Sequence, residues 1–131
     1  MRQRVAAARV GRLATVTPEG APHLVPCCFT LVGEALVTAV DGKPKATTAL
    51  RRLDNVRAHP AVALLVDHYD DEDWTRLWWV RVDGTARVVA EGPEREAALD
   101  AVATKYAQYR AVRPPGAVIV VERLAWRGWE P

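Results

Sequence analysis

Two lysines separated by a proline are the first residues whose spacing points to chemistry. Lys43, Pro44 and Lys45 come just before Thr47 and Thr48, either of which can begin a helix. Two ammonium groups, two hydroxyls and the free N–H groups of a helix N-terminus can together bind a phosphate. The segment therefore predicts a phosphate site, with an ordinary polar turn as the alternative.

Neighbouring tryptophans raise a second question, because consecutive residues of a strand point to opposite faces of a sheet. If Trp78 and Trp79 lie on one strand, one fills the core, and the other needs cover from a ligand ring, a second subunit or a helix. Trp126 and Trp129, with Arg127 between them, raise the same question near the C-terminus. These residues predict an interface or a planar ligand.

The remaining reactive side chains lack a catalytic or metal-binding spacing. Cys27 and Cys28 are adjacent on a predicted strand, where a mutual disulfide is strained and no neighbouring base is evident. Unreactive buried thiols are therefore favoured over a redox nucleophile. The three histidines lie on separate predicted elements, which predicts no metal site. The acidic run at 70–73 lacks the spaced ligands and glycine of a calcium loop, so a solvated loop is the better interpretation.

Composition and charge exclude several classes of protein. The 131 residues fit one domain, 1–131, and 50% apolar with 26% charged residues is typical of a folded globular chain. A formal net charge of +2 indicates no broad nucleic-acid surface. No apolar run reaches the roughly 18 residues of a membrane span, and arginines interrupt the only stretch resembling a signal peptide. Adjacent cysteines without a feasible disulfide favour a cytoplasmic location.

The first part of the chain predicts two hairpins followed by a helix. Turn-bounded apolar segments indicate a short helix and three antiparallel strands, at residues 1–10, 12–17, 23–32 and 35–40. The next helix begins at Thr47 or Thr48 and is stopped by Pro60. On its polar side lie Arg51, Arg52 and Arg57. A solvated basic face explains these arginines better than a nucleic-acid site does.

The second part predicts further strands and a third helix. The segment 61–69 is apolar enough to be a strand buried on both faces. Segments 77–82 and 85–90 flank Asp83-Gly84, which we interpret as a bulge in one long strand, with a hairpin turn as the alternative. A helix from Pro93 through Tyr106 precedes a last strand over 117–126. Six to seven antiparallel strands with three flanking helices predict a mainly β protein, best accommodated as a small barrel.

Four segments taken together resemble a known family. They are 12–16 (RLATV), 20–26 (GAPHLVP), 43–45 (KPK) and 55–64 (NVRAHPAVAL). Over nearly its whole length the chain resembles the split β-barrel proteins related to pyridoxamine-phosphate oxidase, and among them it is most similar to the actinobacterial deazaflavin-dependent oxidoreductases. The resemblance implies an FMN-binding-like split barrel and a homodimer with a cofactor site at each end of the subunit interface, each built from both subunits.

The resemblance also implies which residues bind the cofactor. Lys43 and Lys45 match the phosphate-binding position after the third strand, and Thr47 is a further candidate there. The ring system lies between the second and third strands, whose candidate residues are Pro26, Cys27, Cys28, Thr38, Ala39 and Val40. Trp79 and Arg127 match the aromatic residue and cation that the partner subunit supplies. The two cysteines depart from the small or apolar residues that many relatives have there.

The implied function is that of an oxidoreductase that binds reduced coenzyme F420 and transfers a hydride to an unsaturated small-molecule acceptor. In the deazaflavin, carbon replaces the ring nitrogen through which flavins pass single electrons, so the protein mainly has to position two planar molecules. Tyr69, Arg81 and water are the candidate proton donors, and the sequence selects none of them. Two alternatives stay open: an FMN-dependent oxidoreductase, and a non-catalytic protein that binds F420 or flavin.

Overall fold

The computed structural model describes residues 1–40 and 47–131, and for residues 47–49 it describes the backbone alone. The strands are β1 (Gly11–Val16), β2 (Pro22–Cys27), β3 (Thr30–Val32), β4 (Ala35–Ala39), β5 (Ala61–His68), β6 (Trp78–Val89) and β7 (Val118–Trp129). The helices are α1 (Arg2–Ala7), α2 (Thr47–Ala58), α3 (Pro93–Lys105) and α4 (Ala107–Ala111), with a 3₁₀ turn at Trp74–Arg76.

All seven strands join one open antiparallel sheet in the order β2-β1-β5-β6-β7-β4-β3. This confirms the mainly β fold with six to seven antiparallel strands. The predicted second strand is in fact two strands, because β2 pairs with β1 at one edge of the sheet and β3 pairs with β4 at the other. Only Cys28 and Phe29 separate these two edge strands. The sheet must therefore curl until its edges approach each other, which produces a split barrel.

The long strand β6 contains the bulge that the sequence predicts. Its pairing with β7 shifts register between Asp83 and Thr85, which rules out the hairpin turn. A Cβ added to Gly84 would lie 2.5 Å from Val121 Cγ1 and 2.9 Å from the Glu122 carbonyl oxygen, so the bulge requires glycine. Beyond the bulge, β7 continues alongside β6 to Trp129, three residues past its predicted end.

Two groups of apolar side chains pack on opposite sides of the curled sheet. The inner core contains residues of all seven strands or their connections, among them Leu13, Phe29, Leu36, Leu64, Val82 and Ile119. A second cluster packs beneath α3, where Leu99 and Val102 meet Val118 and Val120. The helix α2 covers the inner core with Leu53 and Val56. It ends before Pro60, as predicted.

The strand β5 corrects one prediction, because it is buried on a single face. Val62, Leu64 and Val66 point into the core, whereas Leu65 is 37% exposed on the outer face. The helix α2 contacts the inner side of β1 and β6, and α3 contacts β3, β4 and β7. The outer surface of β5 therefore stays open in the single chain.

Arg52 corrects a second prediction, because it is 9% exposed rather than solvated. It lies three and four residues before the buried Asn55 and Val56, a spacing that places all three on one side of a helix. Arg51 and Arg57 are exposed, in agreement with the prediction. The structure also contains four α-helices within its described residues, where the sequence predicts three. No helix in the described part of the chain is long and apolar enough to span a membrane.

Candidate functional site

The outer face of the sheet carries a groove of about 530 Å³. Cross-strand partners share a face, so the register places five outward side chains in one row across β2, β1, β5, β6 and β7. In order they are Pro26, Arg12, Leu65, Arg81 and Arg127. Apolar residues line most of the remaining surface of the groove, including Leu24, Leu77, Trp79 and Trp129. The groove is thus an apolar surface with arginines placed along it.

The neighbouring tryptophans point to opposite faces, as predicted. Trp78 packs against the inner core and stacks on His68 with 6.3 Å between ring centroids. Trp79 lies on the outer face opposite Trp129, which is its partner on β7. Trp129 is 47% exposed, although it lies beside another large aromatic ring. The outer pair therefore provides a flat aromatic surface at one end of the groove.

The arginines of the groove differ in their pairing. Arg81 is bidentate to Asp83, with its Nε 2.8 Å from Oδ1 and its Nη2 3.2 Å from Oδ2. Arg12 Nη1 lies 3.5 Å from Asp67 Oδ1. Arg127 has no carboxylate partner among the residues that the structure describes. The surface therefore combines two ion pairs with one uncompensated positive charge.

A smaller cleft of about 190 Å³ lies where β2 ends. It is lined by Val10, Pro26, Cys27, Cys28, Ala39, Arg52 and Tyr109. The Nε of Arg52 is buried there and has no hydrogen-bond partner. The cleft adjoins the groove, because Pro26 lines the cleft and its cross-strand partner Arg12 lines the groove. An elongated molecule can occupy both.

The thiol of Cys27 is unsuited to nucleophilic chemistry. Burial raises its pKa to about 11, and this effect exceeds the opposing influences of Thr38 and the Arg52 charge. Because a cysteine reacts as the thiolate, a protonated thiol is inert at neutral pH. Cys27 is accordingly a small wall of the cleft, which agrees with the unreactive role favoured by the sequence.

The end of α3 holds the two-residue connection between β2 and β3 in place. Tyr106 Oη accepts a hydrogen bond from Phe29 N at 3.1 Å and lies 3.0 Å from the carbonyl oxygens of both Phe29 and Arg9. Lys105 Nζ donates to the Phe29 carbonyl at 2.9 Å. Thr38 Oγ1 donates to the Cys28 carbonyl at 2.7 Å. These bonds hold the backbone that forms one wall of the cleft.

The predicted cofactor residues fall into three groups. Pro26, Cys27, Cys28 and Ala39 meet at the cleft. Trp79 and Arg127 lie on the outer face, and Arg127 is four strand spacings from Pro26, or about 19 Å along the sheet. A single chain therefore does not bring these two groups together.

The other predicted residues differ in what the structure says of them. Thr38 and Val40 are buried, at 1% and 5% exposure. Lys43 and Lys45 lie outside the described residues, as does the side chain of Thr47. The proton-donor candidates Tyr69 and Arg81 both line the groove.

The site also contains residues that the sequence interpretation missed. Arg52 had a local signal, its three- and four-residue spacing to Asn55 and Val56. Arg12 had none, because only the pairing of β1 with β5 places it beside Leu65. Within the described residues, no group of three or more His, Cys, Asp or Glu side chains could bind a metal ion.

Comparisons with known proteins agree with this fold. A conserved hypothetical protein from Mycobacterium tuberculosis is 22% identical with a TM-score of 0.74, covering 98% of this chain and 81% of that one. HutZ, the heme storage protein from Vibrio cholerae, is 14% identical with a TM-score of 0.71, covering 98% and 88%. An FAD binding protein from Mycobacterium smegmatis is 16% identical with a TM-score of 0.58, covering 98% and 92%. At these identities the likeness establishes the fold alone.

The sequence itself identifies the family. No curated protein matches the chain significantly. The family model for pyridoxamine 5'-phosphate oxidase, however, matches residues 1–130, almost the full length of the chain. With the open seven-stranded antiparallel sheet, this match means that the chain belongs to the pyridoxamine 5'-phosphate oxidase family.

Proposed function

We propose that this protein is an oxidoreductase that binds reduced coenzyme F420 and transfers a hydride to an unsaturated small-molecule acceptor. The observation that carries the proposal is the outer-face groove, whose volume of about 530 Å³ lies within the range of small-molecule sites. Its walls are apolar and aromatic, and aromatic side chains stack on planar rings. The groove thus fits two flat molecules better than it fits a flexible polar one.

The residues of the chain also fit the rest of such a cofactor. A ring in the groove has the Arg52 cleft beside it, on the side of β2 that faces α2. The buried, unpaired Nε of Arg52 is a donor suited to an acidic group. Lys43 and Lys45, directly before α2 in the sequence, are proposed as further phosphate contacts.

The proposed mechanism asks the chain mainly to position and to shield. When bound, the reduced deazaflavin supplies a hydride. Leu65 and Trp79 cover the groove with apolar surface, which excludes water from the reacting molecules. Arg81, fixed by Asp83, places a positive charge beside them. Tyr69, whose Oη donates to Asp71 Oδ1 at 2.8 Å, stands with Arg81 as a candidate proton donor to the product.

The proposed active form is a homodimer whose second copy covers the groove. Leu24 is 66% exposed and Leu65 37% exposed, in line with the open aromatic surface of Trp129. A second copy that buries these side chains can bring its Trp79 and Arg127 to the Pro26 end of the first chain. This arrangement reunites the two groups of predicted residues that one chain holds about 19 Å apart.

Other cofactors are the second candidates, and specific features favour two of them. The same groove and cleft suit FMN, in agreement with the FAD-binding neighbour. His68 and Tyr69 at the groove are residue types that ligate heme iron, and a structural neighbour is a heme storage protein. A protein that binds its cofactor without turnover is the third possibility.

Titration of the purified protein with F420, FMN and heme tests the proposal. We expect the deazaflavin to bind more tightly than FMN or heme. Lys43→Ala and Lys45→Ala should each weaken F420 binding about tenfold or more, since each removes a charge-assisted contact. The exposed Arg57→Ala is the matched control and should leave affinity unchanged.

Each alternative result identifies a different function. Tighter binding of FMN changes the enzyme class, and a heme spectrum with no flavin binding contradicts the oxidoreductase. F420 binding without reduction of any acceptor in a screen of quinones and other unsaturated compounds identifies a carrier. No binding of any of the three contradicts the proposal.

A further inference from the structure

The cleft at the end of β2 contains a buried cation whose partner is missing from the chain. Arg52 is 9% exposed, and its Nε is buried without a hydrogen-bond acceptor. Its neighbour Arg51, on the same helix, is exposed. Burial of an unpaired charged donor is unfavourable unless a partner compensates it. The position of Arg52 therefore points to an acceptor that binds there.

The lining of the cleft offers no anion to satisfy that donor. Its other members are two thiols, a phenol ring and small apolar side chains, with no carboxylate among them. The high pKa of Cys27, about 11, keeps the nearest thiol neutral at physiological pH. The positive charge of Arg52 is therefore uncompensated by the walls.

The size of the cleft limits what the acceptor can be. Its volume of about 190 Å³ is below the roughly 300 Å³ at which pockets begin to hold drug-sized molecules. A tricyclic ring or a porphyrin needs more space, whereas a single tetrahedral oxyanion does not. Guanidinium groups bind such oxyanions through paired N–H donors.

We infer that Arg52 binds a phosphate group in this cleft. The phosphate is either the ester of the bound cofactor or free inorganic phosphate. The cofactor form of the inference rests on the proposed function, because Pro26 joins the cleft to the groove through its pairing with Arg12. Arg52 then fixes one end of the cofactor, and the groove holds the ring.

The test compares ligands that differ only in phosphate. FMN and riboflavin share one ring system, so their difference in affinity isolates the phosphate contact. We expect Arg52→Gln to weaken FMN and F420 binding about tenfold or more and to leave riboflavin binding unchanged. Arg51→Gln, an exposed neighbour on α2, should change neither. Arg52→Lys keeps the charge without the guanidinium fork and should give an intermediate affinity.

A second measurement separates this inference from the proposed function. Inorganic phosphate, compared with chloride at equal ionic strength, should raise the melting temperature of the wild type but not that of Arg52→Gln. If that difference appears while no cofactor binds, the anion site stands and the proposed function fails. If F420 or FMN binds wild type and Arg52→Gln equally, the inference is overturned and the function stands. If Arg52→Gln does not fold, Arg52→Lys decides, and unchanged FMN affinity in that variant also overturns the inference.

Discussion

Lys105 illustrates, for a single residue, how packing changes the acid–base chemistry of a side chain. Its Nζ donates to the Phe29 carbonyl and lies 4.1 Å from the centroid of the Phe29 ring. Burial lowers its pKa to about 8, and the positive charge of Arg9 adds to that effect. The amine that helps to hold the β2–β3 connection therefore loses its proton in the mildly alkaline range.

This pKa predicts a pH-dependent stability. The folded chain releases the Lys105 proton near pH 8 and the unfolded chain near pH 10.5, so between these values the unfolded chain binds more protons. The unfolding free energy contributed by Lys105 must then rise with pH across this window and fall again toward pH 8. Urea denaturation of wild type and Lys105→Met between pH 7 and 10.5 checks this. The difference between the two should increase with pH, and a constant or decreasing difference contradicts the assignment.

Among the elements, α2 is attached to the sheet by one buried polar contact. Asn55 Nδ2 donates to Thr15 Oγ1 on β1 at 3.0 Å, and both residues are nearly inaccessible to water. Leu53 and Val56 pack beside this hydrogen bond in the inner core. The bond therefore fixes how α2 sits on the barrel, and with it the position of Arg52.

Removal of one partner of this bond should destabilise the fold. Asn55→Ala leaves the Thr15 hydroxyl buried and unpaired, and we expect a loss of about 1 to 3 kcal/mol in the free energy of unfolding. Asp54→Ala, an exposed neighbour, is the control and should change stability by less than about 0.5 kcal/mol. The double variant Asn55→Leu/Thr15→Val should recover part of the loss, since it removes both polar groups. Urea unfolding measures all three, and equal stability of Asn55→Ala and Asp54→Ala would show that the bond contributes little.

For the whole molecule, the main feature is a sheet with one covered face and one open face. The helices and the curl of the sheet bury the inner side, whereas Leu24, Leu65 and Trp129 stay exposed on the outer side. Contiguous exposed apolar surface of this kind is typical of interfaces and binding sites. The proposed dimer explains why this surface combines apolar residues with arginine–aspartate pairs.

The dimer predicts a specific effect of charge on the open face. Sedimentation equilibrium should give the wild type the mass of two 14.4 kDa chains. Leu65→Arg places a third arginine between Arg12 and Arg81 in the row and should shift the protein to monomer. Val112→Arg, at a residue 73% exposed after α4, is the control and should stay dimeric. A monomeric wild type would contradict the dimer, and cofactor binding by that monomer would show that one chain is sufficient.

The sequence by itself was sufficient for features that depend on near neighbours. Alternation and turn residues predicted the strands, Pro60 predicted the end of α2, and Asp83-Gly84 predicted the bulge. The opposite orientations of Trp78 and Trp79 follow from strand geometry alone. Residue patterns along the chain also predicted the split-barrel family, which the match over 1–130 confirms. Each of these depends on residues a few positions apart, or on a pattern that the chain carries in linear order.

Only the tertiary structure decided which surfaces are covered. The open face of β5 and the row that joins Pro26, Arg12, Leu65 and Arg81 arise from pairings between residues far apart in sequence. Arg52 carries a helical spacing compatible with burial, yet its charge favours solvent, and the packing of α2 against the barrel decided between them. Periodicity states that a strand has two faces. Which face receives a helix, a ligand or a second chain depends on how the whole sheet curls and where its connections pass.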